Sequence, residues 1–260
     1  MPDEPQAVTI ALLAKVIGVF VVVVGAAAWV DRRLVARPLW AEEPRSVVPW
    51  GAESVVGVAV LYFALLVLMA SLRNGLLAVA MANVAIAILT PALLRATSGA
   101  RLGDLGLTSR DLGRNLLRGA AGCALVLPLV YLVNYDAVSI WTPQIHPAQE
   151  AIMARSPTAL LGAVVAAPLA EEILFRGVLL GALWKRRSPN AALVANAAVS
   201  LLFAGLHAGQ WPAPIPLFVL SLAFGEAYRR SGSLVAPIAM HVCFNALTSA
   251  TLLIATAPAG

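Results

Sequence analysis

Three short polar clusters interrupt an otherwise apolar chain. The first is Glu171, Glu172 and Arg176, in the string Pro-Leu-Ala-Glu-Glu-Ile-Leu-Phe-Arg-Gly. On a helix Glu172 and Arg176 lie four apart and face one another, so each can neutralise the other. Glu171 is turned about 100° away and has no local partner. A carboxylate so placed is suited to act as a general base. The second cluster is Phe203-Ala-Gly-Leu-His207, and the third is His241-Val-Cys-Phe-Asn245. His241 and Asn245 share one helix face, while Cys243 points away. A carboxylate, two imidazoles and a carboxamide are the groups that water-activated hydrolysis needs. Glu171, His207 and His241 are also the residue types that ligate a divalent metal such as zinc. There is no His-Glu-x-x-His pair of the soluble zinc-protease kind. On residue types and spacing alone, metal-dependent and metal-free chemistry both stay open. Taken one at a time, each cluster also has a plainer reading: an ion-pair network, an interfacial histidine and interhelical hydrogen-bonding glue.

The surroundings of these groups make them informative. The chain has 260 residues, 60% of them hydrophobic and 12% charged. A soluble domain carries about 25% charged residues. Such a composition excludes an ordinary soluble enzyme and a disordered protein. It predicts an all-α, polytopic integral membrane protein. Ionisable groups in membrane spans cost about 2.5–3.5 kcal/mol each on insertion scales, so each needs a reason to be there. Lys15, near the start of the first span, can snorkel or meet a carboxylate. The net charge of +5 comes from basic residues in loops between apolar runs, which fits membrane topology rather than nucleic-acid binding. Cys123 and Cys243 both fall in apolar segments and suggest neither a disulfide nor a metal site. His146, beside Pro147, reads as a turn residue.

About eight transmembrane helices are expected: Val8–Val30, Val55–Leu72, Leu76–Leu94, Gly119–Tyr135, Pro157–Trp184, Asn190–His207, Pro214–Tyr228 and Leu234–Thr256. Residues 1–260 read as a single integral membrane domain, with the three motifs on the helices of 157–256. The fifth span is too long for one crossing and contains Pro168, which predicts a kink or two half-helices. The seventh is short. Basic residues alternate with the loops. Arg32, Arg33, Arg37 and Arg45, then Arg95, Arg101, Arg110, Arg114 and Arg118, then Lys185, Arg186 and Arg187, then Arg229 and Arg230 fall on one side. Only Arg73 and Arg155 fall on the other. This pattern places both termini outside. The six tryptophans lie at span ends or in loops, as an interfacial belt requires. Gly99–Arg118, with its leucines among four arginines, reads equally as a surface-lying amphipathic segment or as a solvated loop with a short helix.

The ordered motifs Glu171-Glu172-x-x-x-Arg176, Phe203-x-x-x-His207 and His241-x-x-x-Asn245 resemble the CPBP family of intramembrane proteases. This is the CAAX-protease and bacteriocin-processing family that includes the Rce1-type prenyl-protein endopeptidases. The flanks are similar too: Phe175-Arg176-Gly177, and Arg230-Ser231-Gly232-Ser233-Leu234-x-Ala236-Pro237. The resemblance covers roughly Ala167–Asn245. It implies a membrane-embedded endopeptidase in which Glu171 activates water with help from His207. His241 and Asn245 would hold the substrate carbonyl oxygen or complete a metal site, and Glu172 and Arg176 would support them. The family has been described both as metalloprotease and as glutamate-dependent, so any metal ligands would be Glu171, His207 and His241. The implied partners are a peptide or protein substrate, which is lipidated in the eukaryotic members, and membrane lipid. No nucleic-acid partner is expected, and the expected location is the plasma membrane. A competing class is a non-catalytic membrane protein, either a proton-coupled transporter or a scaffold or immunity protein, using the same Glu/His set.

One point conflicts. The charge pattern places His207 at the outer end of its span and His241 only about 10 Å in from the inner side. Chemistry needs them close together. Either Pro214–Tyr228 is not a full crossing, or the basic Arg229–Gly232 turn lies deep, or the orientation is reversed.

Overall fold

The structure is a computed structural model that describes residues 39–42, 47–71, 75–184 and 189–256. The first expected span, with Lys15, lies outside the described residues. So do Arg32, Arg33, Arg37 and Arg45, Arg73, and Lys185–Arg187. The described residues are helical, with no strand among them. In chain order they form α1 (Ala52–Ala70), α2 (Gly75–Ser98), a 3-10 turn (Leu102–Leu105), α3 (Leu112–Ile140) and α4 (Pro147–Met153). These are followed by α5 (Pro157–Leu183), α6 (Pro189–Gly205), α7 (Pro214–Ser231) and α8 (Val235–Ala255).

Five of these helices, α1, α2, α3, α5 and α8, are long and apolar enough to cross a membrane. The expected count of eight is not reached among the described residues. Helix α6 is apolar but shorter than a full span. Helix α7 has the length, but its last turns carry Glu226, Arg229 and Arg230.

Pro168 does not break α5. The helix loosens into a π-helical turn over Gly162–Ala166 and resumes α geometry at Ala167–Glu172. It widens again over Ile173–Leu180 and ends at Gly181–Leu183. Proline lacks the N–H that an α-helix would use. A π turn just before it shifts the pairing of the neighbouring carbonyls, so the chain stays helical. At the N-terminus Ser156 Oγ accepts from Ala159 N–H at 3.3 Å, with Pro157 in the first turn, where its missing donor costs nothing.

Gly99–Arg118 contains a short helix, as its second expected form has, but its middle is packed rather than solvated. Leu105 is buried, and Tyr228 Oη donates to its carbonyl at 3.0 Å. Gly106 adopts φ +80° to close the 3-10 turn, and its carbonyl accepts from Leu234 N–H at 2.8 Å and Ser233 Oγ at 3.2 Å. A side chain at Gly106 would meet Gly232 O, Leu234 N and Tyr228 Cε2, each at 3.0 Å. The segment is thus a strap across the turn between α7 and α8. Ser231, Ser233 and Leu234 are buried beneath it. Helix α7 is not among the helices long and apolar enough to cross a membrane, which agrees with the first of the three ways out of the depth conflict.

Gly177 gives its space to Leu105 of the strap and to Leu234. Gly119 lets α3 run against α8, where a Cβ would meet Ala239 at 2.5 Å. Two basic or aromatic expectations also change. Trp50 is fully buried, and its Nε1 donates to Val178 O at 3.1 Å, so it is a core anchor of α5 rather than a belt residue. Arg118 is buried and donates to the carbonyls of Leu39 and Ala41 and to Asn115 Oδ1. Cys123 and Cys243 are free thiols.

Candidate active site

The three motifs converge where α5, α6, α7 and α8 meet. Glu172 and Arg176 are both fully buried, and Arg176 Nη1 donates to Glu172 Oε1 at 3.1 Å. The guanidinium lies over the rings of Phe203 from α6 and Phe224 from α7, each about 5.1 Å away. Its Nη2 donates to Ser221 on α7, to the carbonyl at 2.9 Å and to Oγ at 2.6 Å. Helix α7 can approach this closely because Gly225 leaves room for Asn196 of α6, whose Nδ2 donates to Leu222 O at 2.9 Å.

His241 is buried on α8 and stacks on Phe224 with ring centres 4.6 Å apart. Its Nδ1 lies 2.9 Å from Glu172 Oε1 and its Nε2 lies 3.8 Å from Glu171 Oε2. A carboxylate paired with arginine only accepts, so His241 Nδ1 carries the proton and donates. In neutral His241 the Nε2 facing Glu171 is therefore an acceptor. Glu171 differs from its neighbour in access: its side chain is 25% exposed, that of Glu172 0%. Glu171 is within electrostatic reach of both His241 and His207.

His207 follows the end of α6, half-buried against Phe203 at a ring distance of 4.9 Å. Its Nδ1 is 2.8 Å from Phe203 O. A carbonyl can only accept, so Nδ1 is the protonated nitrogen and Nε2 has a free lone pair. Asn245 reaches the same helix α5 nearer its start, where Nδ2 donates to Ala163 O in the first π-helical turn at 2.8 Å. That bond uses one of its two amide hydrogens. Glu171, Glu172, Arg176 and His241 thus form one connected group, His207 stands beyond Phe203, and Asn245 ties α8 to α5.

Residues 154–247 match the family model described as type II CAAX prenyl endopeptidase Rce1-like. Over these residues, 94 of the chain's 260, the match supports an assignment to the Rce1-like family. The assignment implies a protease acting on protein or peptide substrates in the membrane, and the five apolar helices agree with an integral membrane protein. No curated protein and no solved structure matches the chain. Glu171, Glu172, Arg176, His207, His241 and Asn245 all lie inside the matched stretch.

The domain also contains groups that the sequence did not single out. Ser221 sits in an apolar run, and its partner on α5 is visible only in the fold. A usable signal was present: Ser221 and Gly225 are small residues four apart on the face of α7 that also carries Phe224 and Tyr228. His146, read as a turn residue, caps α4, its Nδ1 accepting from Ala148 N–H at 3.1 Å. The loop before it docks beside the His207 loop. Gln144 N–H donates to Trp211 O at 2.8 Å, and Trp141 meets Trp211 edge-on at 5.3 Å.

Catalytic zinc takes three protein ligands. Among the described residues no three His, Cys, Asp or Glu side chains stand close enough to hold a metal ion. Glu171 and His241 Nε2 offer two donors, and Glu172 already serves Arg176 and His241. The donor set as arranged does not fit a three-ligand zinc.

Proposed function

We propose that the chain is a membrane-embedded endopeptidase that hydrolyses a peptide bond with water activated by Glu171 and His207. One observation carries the reading. Glu171 is a partly exposed carboxylate facing His241 Nε2 at 3.8 Å, against a buried array of Glu172 and Arg176. Two acceptors facing one another in this way favour a donor between them, and a water molecule supplies two O–H groups. Such a water points its oxygen lone pairs away, toward an incoming carbonyl carbon. Glu171 takes one proton as the water oxygen bonds to that carbon. When His241 also carries a proton on Nε2, the O–H that Glu171 does not take goes to the free Nε2 of His207 instead. In that doubly protonated state His241 Nε2–H, together with the second amide hydrogen of Asn245, is a donor for the oxygen that becomes negative. Glu171 then returns its proton to the amide nitrogen as the carbon–nitrogen bond breaks, leaving a carboxylate and an amine.

The fitting substrate class is a CAAX-type C-terminal peptide, lipidated so that the membrane presents it, and the fitting location is the plasma membrane. A proton relay would spread its Glu and His groups along a path, whereas here they close upon one another. The test is cleavage of prenylated and unprenylated peptides by the detergent-purified protein and by Glu171→Gln. Cleavage by the parent that is lost in the variant supports the reading. Proton flux without cleavage of any peptide would replace it with the relay.

A further inference from the structure

An arginine beside a carboxylate commonly closes two parallel N–H bonds on the two oxygens. Arg176 does not. Nη1 gives Glu172 Oε1 one bond at 3.1 Å, while the Nη2 that would complete the fork is drawn to Ser221 Oγ at 2.6 Å and Ser221 O at 2.9 Å. Glu172 Oε2, the oxygen the fork would reach, is buried and has no hydrogen-bond partner among the described residues, and neither has Arg176 Nε. Unpaired atoms of charged groups are costly in the interior. Something must hold the guanidinium off the second oxygen, and Ser221, fully buried on α7, is the group bonded to it. The effect falls on Glu172 Oε1, which also accepts from His241 Nδ1 at 2.9 Å. A fully forked Glu172 would spend more of its charge on Arg176 and grip His241 less.

We propose that Ser221 is a positioning residue for the reaction: by holding Arg176 Nη2 it keeps Glu172 half-paired, so that Glu172 fixes the His241 ring with Nε2 toward Glu171. The proposal rests on the reading that Glu171 and His241 flank the reacting water, but its first test needs no turnover. The chain has 3 histidines, so magnetic resonance of the full-length protein in detergent, with isotope-labelled histidine, resolves each ring. His241→Gln assigns the His241 Nδ1 proton. Ser221→Ala should move that signal upfield, and Ser221→Thr, which retains the hydroxyl, should restore it. Ser221→Cys keeps the volume but offers only a weak acceptor, and should behave as Ala does. An unmoved signal in Ser221→Ala and Ser221→Cys overturns the proposal.

In peptide cleavage, Ser221→Ala should lower kcat by about 10- to 100-fold, the worth of one hydrogen bond to a charged group. KM and the thermal midpoint should stay at parental values. In a Glu172→Gln background the same substitution should cost nothing further, because its effect passes through Glu172. Equal losses in both backgrounds would make Ser221 a packing residue and sink the proposal. A parent without peptidase activity would instead sink the functional reading, while the resonance arm still decides the role of Ser221.

Discussion

Glu172 Oε1 lies 2.9 Å from His241 Nδ1, joining two residues 69 apart in sequence by one buried hydrogen bond. The adjacent Glu171 addresses the other nitrogen of the same ring at 3.8 Å. Neighbouring carboxylates on one helix therefore do different work. In the proposed reading the buried one orients the imidazole and the partly exposed one takes the proton. This division follows from α5, which turns Glu172 toward Arg176 and leaves Glu171 at the edge of the array.

Glu171→Gln keeps shape and hydrogen-bonding capacity but removes proton acceptance. General-base catalysis contributes about 10²–10⁴-fold, so turnover should fall by at least that order. Folded yield should hold or improve, since a desolvated charge is removed. Peptide cleavage at matched folded concentration measures the loss. Retention of more than about a tenth of parental turnover would take Glu171 out of the base role.

Arg176→Ala strands Glu172 without its cation and leaves Ser221 and the Phe203 and Phe224 rings facing a void. Removing one partner of a buried pair costs about 3–5 kcal/mol. The variant should give less folded protein and a lower melting temperature in detergent, beyond any loss of activity. Parental stability would show that Arg176 is not holding α5 to α7.

Exhaustive chelation of the purified protein should leave cleavage unchanged, because Glu171 and His241 Nε2 supply two donors rather than three. Activity lost on chelation and restored by zinc would reverse this. It would require Glu171, His207 and His241 to close around the ion.

Gly225→Ala should be poorly tolerated, since a Cβ there would fall 1.8 Å from Asn196 Oδ1. Overpacking costs about 1–3 kcal/mol. The expected result is a lower melting temperature, partly recovered by a second change, Asn196→Ala. A stable single variant would mean that α6 and α7 can separate without penalty.

His146 lies outside the spans. Burial, with the His207 charge second, holds it below the ordinary histidine value of 6.5. A histidine depressed in the fold is kept neutral there, so its contribution to stability is present above pH 6.5 and is lost as pH falls below it. Protonation also removes the Nδ1 acceptor that caps α4. Acidification should loosen the Trp141–Trp211 contact, seen as a change in tryptophan fluorescence that His146→Gln abolishes. The same transition in that variant would place its origin elsewhere.

The sequence was most informative where a polar residue had no apolar excuse. Glu171, Glu172, Arg176 and His241 stood out because a charge in a span must be paired, and the i, i+4 rule already joined Glu172 to Arg176. Ser221 was silent because a hydroxyl in a membrane helix is satisfied by its own backbone, and only the packing of α7 on α5 gives it an arginine. Trp50 was misread as interfacial because its loop position does not reveal that its indole reaches Val178. The strap at Leu102–Leu105 was missed because its leucines alternate irregularly: Leu105 turns inward while Leu102, Leu112 and Leu116 stay exposed.

That strap bears on where the working unit ends. The matched stretch, 154–247, contains Ser233 and Leu234, yet the carbonyl that receives both of them belongs to Gly106. The height at which α8 presents His241 is therefore pinned by an anchor outside the matched residues. A transplant of the matched stretch alone into another membrane scaffold would leave those two donors unsatisfied and let α8 slide along its axis. A minimal portable version has to bring Gly106 and Leu105 with it.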